Sequence, residues 1–220
     1  MSKLLTQFEA NILEDIKNHK PTKKQSLLTQ NARMKKSGVW GWTMKASKET
    51  CPYAGTCASI CYAKKAFYKM PNVKKKHLDN YELSLTTEFV PEMIKAIDAV
   101  NPKFIRIHTG GDFYSKKYIK KWVEIVNKFP NKIFYAYTKS VVLFKTLDIL
   151  MPENLRIIQS LGTSNDKKFI NYENTYAVIA ETEEEVEKLV RIHGYLDASD
   201  NDLKALEAQV LNKNIVLKLH

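Results

Sequence analysis

The sequence predicts an α/β protein built as a partial (β/α)6, TIM-like barrel of parallel strands with an N-terminal helical extension. Three observations predict it. From residue 103 onward, short apolar runs alternate with amphipathic stretches of helical period, the pattern of parallel strands joined by helical crossovers. Counting Val39–Met44, six such runs occur, short of the eight that close a barrel. The segments that follow the strands are polar although the strands are apolar. In folds of this kind, ligands sit beyond the C-terminal strand ends.

The elements follow in chain order. Leu4, Leu5, Phe8, Ile12, Leu13 and Ile16 recur at helical spacing, which predicts an amphipathic helix over 4–18, ended by Lys20-Pro21. Residues 22–37 are polar and basic without a firm period. Residues 1–36 therefore read as an appended extension and 37–220 as a single barrel-like domain. Val39–Met44 alternates and reads as the first strand. A helix over 62–70 ends at Met70-Pro71, and a long helix or helix pair follows over 73–99, carrying Leu78, Tyr81, Leu83, Leu85 and Phe89. Phe104–His108 is a strand and Thr109–Phe113 a turn. The helix over 116–128 places Ile119, Trp122, Val123 and Val126 on one face. Strands at 133–137, 155–158, 176–180 and 215–219 complete the sheet, with helices at 141–150, 182–192 and 199–211.

A chain of 220 residues, 44% hydrophobic and 10% aromatic, has the composition of a folded globular protein. No apolar run approaches the roughly 18 residues of a membrane span, and the N-terminus lacks the pattern of a signal peptide. The expected location is the cytoplasm, where thiols stay reduced. The net charge of +11 favours polyanionic partners, with nucleic acid or a nucleotide foremost. Lys74–Lys76, Lys116-Lys117 and Lys120-Lys121 lie in the first 130 residues, while Glu183–Glu185 lies in the last quarter. Lysine outnumbers arginine, which suits phosphate contact better than bidentate base readout. Tyr114, Tyr118 and Trp122 interleave with these lysines, a pattern suited to base stacking. The four-residue spacing of Tyr118 and Trp122 also suits packing on a helix.

All three cysteines fall in one C-x5-C-x3-C stretch, Cys51, Cys57 and Cys61. Pro52 and Gly55 make the first interval a loop, which allows three thiolates to converge. A disulfide would strand one thiol, and the plainest reading is three buried thiols that bind nothing. Zinc would need a fourth ligand, for which His77 and His108 are the candidates. An iron–sulfur cluster is normally held by four thiolates, and one held by three keeps an iron open. The 4Fe–4S cluster is the expected cofactor and zinc the alternative.

The strand ends supply the remaining candidates. Gly110-Gly111 lets backbone approach a ligand, and its amides can hold a carboxylate or phosphate. Asp112 suits a general base, a nucleophile, an acceptor for a ligand amine, or a helix N-cap. Lys139 suits a ligand carboxylate or phosphate. His108 ends a strand and faces either ligand or core. Thr138, Gln159 and Ser160 are further cofactor contacts, in the loops Thr138–Ser140 and Gln159–Ser164; Ala180–Thr182 is the last strand-end segment.

Cysteines after the first strand, a Gly-Gly-acidic turn after the second and a partial barrel together resemble the radical S-adenosylmethionine (SAM) superfamily. Cys57-Ala-Ser-Ile-Cys61-Tyr-Ala, with the later Gly-Gly-Asp-Phe and Tyr-Thr-Lys, is similar to a family of small phage-encoded proteins with radical-SAM-like cysteines. The similarity spans about residues 38–164. It implies a 4Fe–4S cluster on Cys51, Cys57 and Cys61, with SAM bound to the open iron. Gly110 and Gly111 would contact the methionyl amine, with Asp112 nearby. The spacing of five then three departs from the superfamily's three then two. A looser resemblance is to barrel enzymes that exchange guanine for a deazaguanine base. It implies a structural cysteine-held metal and Asp112 as a nucleophile toward a sugar carbon. The expected function is a radical-SAM-like enzyme modifying nucleic acid or a nucleotide. The alternatives are a nucleobase-exchanging enzyme and a non-enzymatic, metal-stabilised nucleic-acid-binding protein.

Overall fold

The computed structural model describes residues 6–18, 27–163 and 166–219. Leu4, Leu5, Lys20-Pro21 and Ser164, used in the sequence reading, lie outside them. The helices are α1 (Gln7–Asn18), α2 (Ala32–Ser37), α3 (Cys57–Ile60), α4 (Pro71–Leu85), α5 (Phe89–Val100), α6 (Lys116–Asn127), α7 (Val141–Lys145), α8 (Asp166–Phe169), α9 (Glu183–His193) and α10 (Lys204–Val210). The strands are β1 (Trp40–Gly41), β2 (Phe104–Arg106), β3 (Ile133–Thr138), β4 (Leu155–Ser160), β5 (Tyr176–Ala180), β6 (Leu196–Asp197) and β7 (Ile215–Lys218). They form one curled, all-parallel half-barrel sheet in the order β1-β2-β3-β4-β5-β7-β6.

The partial barrel is as expected, but the described residues contain seven strands rather than six. The additional one, β6, pairs Leu196 with Ile215 and Asp197 with Val216 at the sheet edge. Two residues cannot show a period, so no pattern announces it. The first strand is shorter than Val39–Met44, because only Trp40 and Gly41 pair in register with β2. Its continuation stays attached through Trp42 N–H to the Arg106 carbonyl at 3.0 Å and Met44 N–H to the Gly110 carbonyl at 3.1 Å.

Helix boundaries follow local chemistry. Pro71 opens α4 at a position where its missing N–H is harmless. Lys121 Nζ donates to the carbonyls of Ser84, in the last turn of α4, and Thr86, just beyond it. Ser115 caps α6 by accepting from Tyr118 N–H, so the cap is Ser115 and not Asp112. Thr182 caps α9, and Glu183–Glu185 fill its first turn, where the helix dipole favours negative charge. The 62–70 helix is replaced by two short 3₁₀ segments, Tyr62–Lys64 and Ala66–Lys69. The 141–150 helix stops at Lys145, where the Thr146 hydroxyl takes the Val142 carbonyl; Pro152 then keeps Met151 out of the helical region. The last helix starts at Lys204 rather than 199, because the Ser199 and Leu203 amides bond the side chains of Asp197 and Asn201 in turns.

Strand parity sorts the core into two layers. On one face, Ile105, Ile107, Phe134 and Ala136 pack with Phe89, Met93, Ile119 and Trp122 of α5 and α6. On the other, Phe104, Ile133, Tyr135, Ile158 and Ile215 pack with Ile12 of α1, Met34 of α2 and Leu206 of α10. Parts of the predicted N-terminal extension thus belong to the core, and α1 lies against α10. Each large apolar side chain so buried contributes roughly 1.5–3 kcal/mol. Tyr118 and Trp122 are fully buried in the first layer, which corrects their reading as base-stacking platforms. Tyr114 stacks on Tyr118 at 4.4 Å between ring centroids. Of the neighbouring lysines, Lys116 and Lys121 donate to backbone carbonyls of the protein itself.

Candidate active site

Strand parity also places Arg106 and Tyr137 on the face that carries Phe104 and Tyr135. Together with Ala177, Ile179 and Leu217 they form the base of a cavity of about 450 Å³, within the usual range for a small-molecule site. Its upper wall is made by the loops after the strands. Cys51, Cys57 and Cys61 all face it, as do the His108–Asp112 turn, Thr138, Lys139 and Ser160.

The cysteine loop crosses the cavity from β1 to the loop after β4. At its start, the Thr50 hydroxyl donates to the Lys45 carbonyl at 2.5 Å, Cys51 N–H to the Ser47 carbonyl and Asp112 N–H to the Thr50 carbonyl, both at 2.9 Å. At its far side, the Thr56 amide and hydroxyl both donate to the Gly162 carbonyl, at 3.1 and 3.0 Å. Gly55 has φ +55°, and a Cβ there would overlap the same Gly162 oxygen; only glycine fits. The Tyr62 hydroxyl donates to the Thr109 carbonyl and closes the loop's exit.

No disulfide links the three cysteines. Burial, then the Asp112 charge, pushes the Cys51 thiol up to about 11. A hydrogen bond with Cys61, then burial, raises the Cys57 thiol further, against the opposing pull of Lys139. Among the described residues, no group of three or more His, Cys, Asp or Glu side chains is arranged to hold a metal ion. The thiols share a wall without being drawn onto one point. His77, a candidate fourth ligand, does not line the cavity; its ring lies 5.4 Å from that of Tyr68.

Asp112 is 7% exposed, and its carboxylate is engaged by three donors. Oδ1 accepts from Phe113 N–H at 2.7 Å and from the Thr138 hydroxyl at 2.6 Å; Oδ2 accepts from Lys139 N–H at 3.0 Å. Burial raises its pKa, and these donors oppose the shift. The side chain ties the turn after β2 to the end of β3. Lys139 Nζ bonds Ser160 Oγ at 3.3 Å and the Leu161 carbonyl, bridging β3 to β4. Burial lowers its pKa, opposed by Cys57, Asp166 and Asp112.

Gly110 and Gly111 both line the cavity, but their need for glycine is met inside the protein. A Cβ on Gly110 would press on Thr43 Oγ1 and the Met44 carbonyl, and one on Gly111, at φ +82°, would clash with the Met44 side chain. Gln159 is turned elsewhere: its Nε2 donates to the Asn171 carbonyl at 2.9 Å and its Oε1 accepts from Asn171 N–H at 2.8 Å. It does not line the cavity.

His108 adopts φ +65°, packs edge-on against Phe113 at 4.5 Å and places Nε2 at 3.1 Å from the Tyr118 hydroxyl. Burial, then the Arg106 charge, pushes its pKa from 6.5 down to about 3, so the folded protein holds it neutral. Below pH 6.5 the unfolded chain takes up a proton that the folded one refuses, and stability falls as pH drops toward about 3. The expected slope from this residue is about 1.4 kcal/mol per pH unit. Urea unfolding of wild type and His108→Asn, a residue that tolerates positive φ, should show a shallower acid slope in the variant. Equal slopes would place the proton elsewhere.

Three residues of this region escaped the sequence reading. Arg106, half-buried Arg33 and Asp202 form a network under the cavity. Asp202 accepts from Arg106 Nη1 at 2.7 Å, Arg33 Nε at 3.0 Å and the Tyr135 hydroxyl at 3.2 Å. Arg106 carried a usable signal, as a lone charge in the apolar run Phe104-Ile-Arg-Ile107. Asp202 did not, since it sits among other polar residues in Ser199-Asp-Asn-Asp202.

Among the described residues, no helix is long and apolar enough to cross a membrane. The family model of Gene product 88 matches residues 6–219, and the chain belongs to that family. Gene 88 protein of Mycobacterium phage L5 is 32% identical over 128 residues, 53% of this chain and 54% of the relative. Gene 88 protein of Mycobacterium phage D29 is 33% identical over 102 residues, 41% of this chain and 42% of the relative. The matched region thus spans about half the length of these relatives. No solved structure matches the chain.

Proposed function

We propose that this member of the Gene product 88 family is an iron–sulfur enzyme acting in the cytoplasm of a phage-infected host. In this reading Cys51, Cys57 and Cys61 hold a 4Fe–4S cluster, and the reaction is a radical-SAM-like modification of a nucleotide or nucleic acid. The observation that carries it is the position of the cysteine loop. All three thiols face one cavity at the C-terminal ends of a parallel half-barrel, where this architecture holds its ligands.

Three thiols are the donor number that leaves one iron of a cluster open. Of the two histidines that could add a fourth ligand, His77 lies away from the wall, and His108 lines it but holds its Nε2 against the Tyr118 hydroxyl. When bound, such a cluster supplies an iron that can take up a ligand and pass it one electron. The chain's own residues do the rest. Thr56, Gly55 and Gly162 fix the loop over the cavity, and Lys139 sets a cation beside Cys57. Asp112 holds the Gly110-Gly111 turn against β3, next to where the resemblance would put the amino acid end of SAM. The net charge of +11 favours a substrate that carries phosphate.

The test is metal and sulfide content with a visible spectrum, on protein purified without oxygen. Iron and acid-labile sulfide in about equal amounts, near four of each per chain, are expected, and Cys57→Ala should lose both. Zinc without sulfide, or no metal, would overturn the reading.

A further inference from the structure

Among the described residues, the charges under the cavity do not balance. Arg106 and Arg33 both bind the single carboxylate of Asp202, two cations against one anion. The third partner of that carboxylate is the Tyr135 hydroxyl, which brings no charge, and the nearby His108 is neutral. Arg106 is nearly buried, with 12% of its side chain exposed, and a buried cation without a counter-charge is strongly disfavoured. Its guanidinium is also incompletely bonded. Nη1 takes Asp202, while Nε is buried with no hydrogen-bond partner. The plane is held 5.0 Å from the centre of the Tyr137 ring, and the side chain lines the cavity. A fixed, planar, under-bonded guanidinium is what recognises a carboxylate or phosphate.

We infer that Arg106 is the anion anchor of this cavity. It takes the carboxylate or phosphate group of a ligand whose remainder extends toward the cysteine loop. A volume of about 450 Å³ accommodates a small organic acid or one nucleotide, not a length of polymer. The Tyr137 ring beneath the guanidinium carbon and the Asp202 bond set the direction of the fork. The inference needs only the cavity and its base, and holds whether or not the thiols carry a cluster; anion binding and metal content are separate measurements.

The test is calorimetric titration of the full chain with inorganic phosphate and, separately, with acetate at matched ionic strength. Arg106→Met is the first variant, because it leaves Arg33 and Asp202 as a one-to-one pair. At least one of the anions should bind wild type, and at least tenfold more tightly than the variant, with no loss of thermal stability in the anion-free variant. Phosphate alone would assign a phosphorylated ligand, and acetate alone a carboxylic acid. Binding of neither anion, or equal binding by the variant through surface lysines, would overturn the inference. If Arg106→Met fails to fold, Arg106→Lys carries the same comparison. It keeps the charge and removes the fork, so unchanged affinity would again overturn it.

Discussion

Asp202→Asn should lower the stability of the protein by about 3–5 kcal/mol, the usual effect of stripping one partner from a buried ion pair. The Asp202 side chain is 1% exposed and sits between two guanidinium groups. The amide fills the same space but leaves both cations without a counter-charge, and turns an N–H₂ toward one of them. Urea unfolding should show a lower midpoint at unchanged slope. Adding Arg106→Met to Asp202→Asn removes one of the stranded cations, and should restore at least about 1 kcal/mol. A second substitution that only lowers stability further would mean that the network is not under charge stress. The acid limb gives an independent check. Burial raises the Asp202 pKa, but Arg106 and then Arg33 outweigh it and hold the carboxyl below 3.8. Its contribution is therefore complete above pH 3.8 and is lost as pH falls through the lower folded value. The Asn variant should lack that part of the acid transition.

Asp112→Ala should cost about 3–5 kcal/mol, for a different reason. Its carboxylate satisfies two backbone amides and one hydroxyl, and a buried donor left without an acceptor costs roughly 1–3 kcal/mol. The three donors come from the turn after β2 and the end of β3, so their loss loosens two sides of the cavity at once. Asp112→Asn retains one oxygen for two donors and opposes Lys139 N–H with its own N–H₂, which predicts a smaller loss. The outcome separates two roles. A carboxylate kept as a nucleophile or base is replaced with little loss or even a gain of stability, whereas a staple is not. Stability unchanged in Asp112→Ala, measured by thermal unfolding, would return the residue to the catalytic candidates.

The two networks differ in how well the chain announces them. Asp112 follows Gly110-Gly111 at a strand end, so its importance was legible, yet its partners Thr138 and Lys139 lie 26 and 27 residues away. Spacing along the chain carries no information about which oxygen meets which donor. Arg106 and Asp202 lie 96 residues apart and meet only because α10 packs on the face of the sheet that carries Phe104 and Tyr135. Tyr118 and Trp122 show the opposite error. Aromatics between lysines read as a surface pattern, but the helical period that also joins them to Ile119 and Val126 puts that face in the core.

By itself, the sequence determined the alternation of strand and helix, the parallel partial barrel and the cysteine loop at the end of the first strand. Those features arise from local periodicity, from β-rich apolar runs and from Pro52 and Gly55, all readable within a few residues. Only the tertiary structure decided that β7 inserts between β5 and β6, that the cysteine loop is pinned to Gly162, and that one carboxylate serves two guanidinium groups. Each of these is a contact between segments far apart in the chain. The physical reason is the same in each case: such contacts are selected by how the layers pack and by which buried polar groups still need partners, and neither exists until the sheet and its helices have assembled.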